Sequence, residues 1–232
     1  MQGYAEQLLD SCIGLKEKYA MLNPVVRNES LRNKFSGKRQ RGLTIIRNIL
    51  FLSCAIDIAN ICLESGQHAA SINQFILFLA DKKIINQLRE TFADREIQQV
   101  SSNEIDIPTE ILKAHHDKRK KMYLSTFDNN LSELNSLWSS FSQSGIPDSF
   151  KTIRDKIAAH VELRFDDGKY KQFDANKLDI SWDNLDTAIN TIQQLVELIN
   201  NIVRRAGFAW DDLDEQLEKA SLGFWEQPNT GS

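Results

Sequence analysis

The stretch "PDSFKTIRDKIAAHVELR", residues 147–164, has the residue spacing of an amphipathic helix. At 100° per residue, Ile153, Ile157 and Val161 fall within about 60° of Phe150, and the four apolar side chains form one stripe. A stripe of this width is typical of a helix that packs one face against a core. The proline and the serine at the start of the stretch are typical of a helix N-terminus.

Two polar side chains, Arg154 and His160, flank this apolar stripe from opposite sides. An arginine beside a packed stripe must find a phosphate, a carboxylate or backbone oxygens, because an unpaired buried charge is costly. Histidine is the residue whose ordinary pKa lies near neutrality, which suits it to proton transfer. The pattern therefore fits a site, and it also fits an internal salt bridge beside a half-buried histidine.

The same helical spacing extends along nearly the whole chain, which only four prolines and ten glycines interrupt. We therefore predict an all-α fold, a helical bundle that forms a single domain over residues 1–232. The first helix is expected to end at Asn23 and Pro24, and the chain to end in a polar tail over about 223–232. The predicted helices cover about 4–22, 40–65, 70–92, 108–143, 147–164, 181–206 and 210–220.

The composition is that of a soluble globular protein, with 41% hydrophobic and 26% charged residues. The 28 basic and 32 acidic residues give a net charge of -4, so any contact with nucleic acid must come from local basic patches. The three cysteines form no CxxC pair, and we expect buried free thiols in a reducing compartment. No metal site and no cofactor are predicted.

The most apolar stretch, "NILFLSCAIDIANICL" at residues 48–63, is too short to span a bilayer and contains Asp57 and Asn60. Charged residues interrupt any signal-like segment near the N-terminus, so we expect a cytoplasmic protein with no membrane partner. Asp57 lies inside an apolar helix, where a carboxylate needs a partner such as an arginine. A core ion pair and a role in a site are both open for it.

Two segments are rich in basic residues. The first, "KAHHDKRKKMY" at residues 113–123, offers four consecutive cations that fit an RNA backbone: Lys118, Arg119, Lys120 and Lys121. A solvated basic helix face is the alternative interpretation. The second segment, residues 32–41, is expected to lie in a loop.

The run "RDKIAAH", Arg154 to His160, resembles the R-x(4-6)-H signature of the HEPN superfamily (higher eukaryotes and prokaryotes nucleotide-binding). The preceding "FKTI" and the following "ISWDNLDTAINTIQQLVELINNIV", residues 180–203, are most similar to the AbiU-type abortive-infection branch of that superfamily. The resemblance extends over about residues 147–205, and the rest of the chain is compatible with it.

This resemblance implies a metal-independent endoribonuclease that acts as a toxin or as a phage-defence effector. In such an enzyme the 2'-hydroxyl of RNA is the nucleophile. Arg154 would stabilise the charge on the phosphate, His160 would transfer protons, and Asp155 would orient one of them or position the phosphate. The site would form across a homodimer, with the two motif helices facing each other near the two-fold axis. An antitoxin or a second defence protein is a further expected partner.

One position departs from the pattern of members that an attached adenylyl chain silences. Those members have a tyrosine two residues after the histidine, where this chain has Glu162. Control by a nucleotidyltransferase antitoxin is therefore in doubt for this chain. A second hypothesis is a catalytically silent HEPN-like module that binds a nucleotide or a partner protein.

Overall fold

The computed structural model describes residues 1–66, 69–94, 109–158, 163–166, 169–172 and 181–226. Their elements, in chain order, are α1 (Gln2–Arg27), α2 (Glu29–Asn33), α3 (Lys38–Leu63), α4 (Ile72–Phe78), α5 (Lys82–Asp94), α6 (Thr109–Gln143), α7 (Ile146–Ile153), a π-helical turn (Arg154–Ala158), β1 (Leu163–Asp166), β2 (Lys169–Gln172), α8 (Trp182–Arg204) and α9 (Trp210–Trp225). The prediction of an all-α fold is confirmed, and the strands of the described chain form one small antiparallel hairpin with Leu163 opposite Gln172.

The long helices pack around a large hydrophobic core, and a smaller cluster of Val25, Leu31, Leu43 and Trp225 joins α1, α2, α3 and α9. Helix α1 packs against α3, α8 and α9, while α6 packs against α5 and α8. Helix α8 contributes an almost continuous apolar face, which includes the buried side chains of Leu185, Ile192 and Ile199. Burial of this apolar area is the main favourable term in the folding free energy.

Helix α8 begins where the sequence predicts it. The hydroxyl of Ser181 accepts a hydrogen bond from the backbone N–H of Asn184 at 3.1 Å, and the Asn184 side chain accepts from the backbone N–H of Ser181 at 2.9 Å. This reciprocal capping box satisfies backbone donors that the first turn of a helix leaves open. The predicted boundaries of α6, about 108–143, also agree with the structure.

The first helix is longer than predicted, because α1 continues through Pro24 to Arg27. A proline inside a helix leaves the carbonyl four residues earlier without its usual donor, and here that carbonyl belongs to Ala20. The hydroxyl of Ser221, on α9, donates a hydrogen bond to the Ala20 carbonyl at 2.7 Å. Contact with α9 therefore supplies the donor that the proline lacks.

Three other predicted boundaries were wrong. The helix predicted over 70–92 is two helices, α4 and α5, because Asp81 interrupts it and accepts a hydrogen bond from the backbone N–H of Lys83 at 2.8 Å. The helix predicted over 147–164 ends sooner, since Leu163 already belongs to β1. Helix α9 runs to Trp225, whose indole Nε1 donates to the carbonyl of Met21 at 3.0 Å.

The basic segment 32–41 is largely helical, whereas the sequence predicts a loop. Arg32 belongs to α2, and Lys38, Arg39 and Arg41 form the first turn of α3. Only the short connection between the two helices is non-helical.

Candidate functional site

Arg154 is the first residue of the π-helical turn that follows α7. Its side chain is 19% exposed, so the guanidinium is largely enclosed by protein. Nη1 donates to Oδ1 of Asn60 at 2.9 Å and to Oε2 of Glu64 at 3.0 Å. Nε donates to Oδ1 of Asp155 at 2.9 Å. These three bonds fix both the position and the plane of the guanidinium.

Helix α3 supplies two of these acceptors from its C-terminal end. Asn60 and Glu64 are four residues apart, so their side chains lie side by side on one face. The helix ends at Leu63, and the C-terminal end of a helix carries partial negative charge. A cation is therefore favoured at this place by the helix as well as by the carboxylate of Glu64.

Helix α7 and the π-helical turn orient the arginine. Phe150 and Ile153 are buried and anchor α7 on the core, directly before Arg154. The wider turn then places Arg154 against α3 and leaves Asp155 about half exposed. Single π-helical turns are often found at functional sites.

The charges around Arg154 balance when Lys151 is included. Glu64 and Asp155 carry negative charge, Arg154 carries positive charge, and Nζ of Lys151 lies 3.9 Å from Oδ2 of Asp155. We refer to Asn60, Glu64, Arg154 and Asp155 as the Arg154 cluster. Its guanidinium can donate hydrogen bonds to a phosphate oxygen, and the half-exposed carboxylate of Asp155 can orient a neighbouring proton carrier.

Arg154 and Asp155, which are neighbours in the sequence, form an ion pair at 2.9 Å, and Arg154 also pairs with Glu64 at 3.0 Å. The internal salt bridge that the sequence left open for Arg154 is therefore present, and the catalytic roles of Arg154 and Asp155 stay predictions. His160 and Glu162 lie outside the described residues, so the pairing of Arg154 with His160 stays a prediction. Asn60 and Glu64 were not predicted as site residues. The signal in the sequence was the presence of Asn60 within a strongly apolar helix, where a polar side chain needs a partner.

A family model described as HEPN_AbiU2 (AbiU2) matches residues 1–224, nearly the whole chain. The chain belongs to the AbiU2 family of HEPN proteins. No curated protein and no solved structure gives a significant match.

The basic stretch of this AbiU2-family chain lies in the first half of α6. Lys118, Arg119 and Lys121 are exposed. Lys120 pairs with Asp94 at 3.1 Å and with Glu90 at 3.2 Å. The hydrogen bond to Asp94, followed by the one to Glu90, raises the pKa of Lys120. Lys120 is therefore already engaged by acidic side chains of α5.

The structure does not bring the basic stretch close to the Arg154 cluster within one chain. Lys121 lies about 33 Å along the axis of α6 from Gln143, after which α7 begins, at about 1.5 Å per residue. Helix α7 has only eight residues and spans about 12 Å. Lys121 and Arg154 therefore remain on the order of 20 Å apart.

Asp57 forms an ion pair inside the AbiU2-family fold, as the sequence suggests, but its partner is a lysine. Nζ of Lys18 lies 2.5 Å from Oδ2 of Asp57, and both side chains are partly buried. The pair lines a shallow pocket of about 220 Å³ together with Ser11, Gly14, Asn60, Ile61 and Ala70. Asn60 therefore lines this pocket and also belongs to the Arg154 cluster.

A larger cleft of about 700 Å³ lies between α1, α8 and α9. The buried charged residue in its lining is Lys16. Nζ of Lys16 pairs with Asp214 at 2.8 Å and lies 5.2 Å from the centre of the Trp210 ring. At the other end Arg27 pairs with Asp183 at 2.8 Å. Because these cations are paired with acidic side chains of the same chain, we interpret the cleft as a structural junction of the three helices.

Helix α3 is the one helix within the described residues that is long and apolar enough to cross a membrane. Its second half, however, lies in the core, where Cys54, Ala55 and Ile58 are fully buried. The same described residues contain no group of three or more His, Cys, Asp or Glu side chains that could hold a metal ion.

Proposed function

We propose that this AbiU2-family chain is a metal-independent endoribonuclease, a toxin or phage-defence effector of the cytoplasm that works as a homodimer. The observation that carries the proposal is the fixed guanidinium of Arg154, the first residue of the "RDKIAAH" run, held by Asn60, Glu64 and Asp155. Its burial in protein strengthens its electrostatic interaction with a bound anion.

In the proposed reaction the 2'-oxygen of a ribose attacks the adjacent phosphorus and the bond from phosphorus to the 5'-oxygen breaks. His160 of one copy accepts the proton of the 2'-hydroxyl, and His160 of the second copy donates a proton to the leaving 5'-oxygen. Arg154 stabilises the negative charge that grows on the non-bridging oxygens, and Asp155 keeps the guanidinium in place. The products are a 2',3'-cyclic phosphate and a free 5'-hydroxyl.

The homodimer is part of the proposal, because one chain offers a single arginine and a single histidine in this run. A two-fold axis would let the second copy complete each site. Lys118, Arg119 and Lys121, which are exposed on α6, would hold more distant phosphates of the RNA. A neutralising antitoxin or a second defence protein is a further proposed partner.

The test uses purified wild-type protein with His160→Ala and Arg154→Ala variants, on an RNA oligonucleotide and on the same oligonucleotide carrying a 2'-deoxy nucleotide 5' to the cleaved phosphate. We expect wild-type cleavage in excess EDTA, no cleavage at the substituted position, and loss of cleavage in both variants. Arg89→Ala, which changes a residue of α5 outside the cluster, is the matched control and should cleave normally.

Three results would contradict the proposal: cleavage at the 2'-deoxy position, complete loss of activity in EDTA, or unchanged cleavage by folded His160→Ala protein. RNA binding without any cleavage would favour the silent binding module.

A further inference from the structure

The shallow pocket of about 220 Å³ adjoins the Arg154 cluster, and helices α1 and α3 form most of its wall. Helix α1 contributes Ser11, Gly14 and Lys18, whose spacings of three and four residues place them on one helix face. Pockets for drug-sized ligands measure about 300–1,000 Å³. The smaller volume of this pocket fits a flat ring system such as a nucleobase.

Asn60 links the pocket to Arg154. Oδ1 of Asn60 accepts the hydrogen bond from Nη1 of Arg154 at 2.9 Å. A guanidinium has only donors, so the amide oxygen must face it, and the NH2 group of Asn60 is turned away from it. Because Asn60 also lines the pocket, this NH2 group can donate a hydrogen bond to a ligand there.

The ion pair of Lys18 and Asp57 places donors beside acceptors in the same pocket. Nζ of Lys18 donates to Oδ2 of Asp57 at 2.5 Å, and the two side chains are 39% and 24% exposed. A carboxylate has about four lone-pair positions, so Asp57 can accept further hydrogen bonds, and the ammonium of Lys18 keeps further N–H donors. Ile61 and Ala70 add apolar surface for the faces of a ring.

Asp57, Asn60 and Glu64 form one row at the C-terminal end of α3, at spacings of three and four residues. Asp57 lies about 4.5 Å from Asn60 and about 10 Å from Glu64 along the helix axis, at about 1.5 Å per residue. Asn60 and Glu64 hold Arg154, which the proposed function places at the cleaved phosphate. The row therefore separates the pocket from the phosphate by a distance that one nucleotide can span.

Gly14 leaves space in the wall of the pocket. Glycine is unfavourable inside a helix, because it loses more conformational freedom on folding than alanine does. Gly14 lies in the middle of α1, and a Cβ at this position would meet no atom within 4 Å. Packing therefore gives no reason for a glycine here, whereas a longer side chain would take up space in the pocket.

We propose that this pocket binds a guanine base of the RNA, next to the phosphate that Arg154 holds. Guanine presents two adjacent donors, N1–H and N2–H, which the carboxylate of Asp57 can accept together. Lys18 and Asn60 can donate to the guanine acceptors O6 and N7. Adenine, cytosine and uracil have no such pair of adjacent donors. The inference rests on the proposed function for its RNA substrate and adds a base preference to it.

The first experiment measures binding without cleavage. The probes are fluorescent RNA pentamers that carry G, A, C or U between flanking uridines, with 2'-fluoro groups in place of every 2'-hydroxyl. We expect the wild-type protein to bind the guanine pentamer on the order of ten-fold more tightly than the other three. Gly14→Leu should abolish this preference. Gly3→Leu, which adds the same side chain elsewhere on α1, is the matched control and should keep it.

Two further variants separate occupation of the pocket from damage to the fold. Gly14→Ala should raise the melting temperature, because alanine favours the helix, and should keep the guanine preference. Asp57→Asn should abolish the preference, because an amide has one acceptor oxygen where a carboxylate has two. Circular dichroism shows that each variant is folded. Equal binding of the four pentamers by the wild type, tighter binding of another base, or an unchanged preference in folded Gly14→Leu would overturn the inference.

The second experiment separates the pocket from the proposed chemistry. Wild-type protein is incubated with an RNA that contains all four bases in varied order, and the cleaved positions are mapped. We expect cleavage next to guanine, with a several-fold higher KM for Gly14→Leu. A guanine preference in binding without any cleavage of RNA would refute the proposed function and keep the pocket. Cleavage without regard to the neighbouring base would refute the pocket and keep the proposed function.

Discussion

At the scale of single residues, Arg154 shows how the fold replaces water around a charge. Instead of water, its guanidinium contacts the amide oxygen of Asn60 and carboxylate oxygens of Glu64 and Asp155. These acceptors come from two helical segments. Hydrogen bonds to charged groups are stronger than those between neutral groups, and a planar guanidinium can make several of them in fixed directions. A lysine at this place would keep the charge but could not reproduce the geometry.

We therefore predict that Arg154→Lys lowers the rate of RNA cleavage on the order of 100-fold and the free energy of unfolding by about 1–3 kcal/mol. Single-turnover cleavage and urea unfolding measure the two effects. Arg89→Lys weakens an exposed ion pair with Asp128 and should lower the unfolding free energy by less than about 1 kcal/mol. Wild-type cleavage by Arg154→Lys would show that charge alone is needed.

At the scale of elements, α1 and α9 depend on each other. Pro24 removes one hydrogen bond near the C-terminal end of α1, and Ser221, from the other end of the sequence, donates to the carbonyl of Ala20 instead. Ser221 is buried, so no water replaces its hydroxyl. Helix α9 therefore holds the last turn of α1 in place.

This dependence predicts a specific non-additivity. Ser221→Ala should lower the free energy of unfolding by about 1–3 kcal/mol, because it leaves a buried carbonyl without a donor. In a Pro24→Ala background the new backbone N–H reaches the same carbonyl, and Ser221→Ala should then cost clearly less. Urea unfolding of the four proteins tests this, with the exposed Ser125→Ala as a control. An equal cost in both backgrounds would contradict the assignment.

At the scale of the whole molecule, the core contains thiols that the sequence suggested would be buried and free. Cys12, Cys54 and Cys62 are buried, and no disulfide joins them. Burial raises the pKa of Cys12 and of Cys54 from 9.0 to about 12, and raises the pKa of Cys62 as well. Burial also raises the pKa of Tyr19, to which the hydrogen bond with Asp186 adds.

These shifts predict a loss of stability in alkali. The folded-state pKa of each thiol lies above its unfolded value, so the stabilisation is fully present below pH 9 and is lost as the pH rises towards 12. At pH 10 each thiol should cost on the order of 1 kcal/mol, and the three together should lower the melting temperature on the order of 10 °C. Melting curves from pH 8 to 11 measure this fall. A triple cysteine-to-alanine variant that shows the same fall would refute the cause.

The sequence by itself determined the elements whose signals are local. The serine cap of α8 and the apolar periodicity specify an all-α chain, because caps and spacing act within a few residues. The spacing of the residues alone also predicts that Arg154 lies on the flank of a helix, beside an apolar stripe.

The tertiary structure decided which distant groups meet. Helix α1 passes through Pro24 because Ser221 lies against it, Asp57 pairs with Lys18 on another helix, and Arg154 bonds to Asn60 and Glu64. Local propensity contains no information about a partner far away in the chain, since that contact exists only after the helices have packed. The sequence indicates that a buried charge, or a carbonyl without its helical donor, needs a partner. Which residue becomes that partner is determined only when the helices pack.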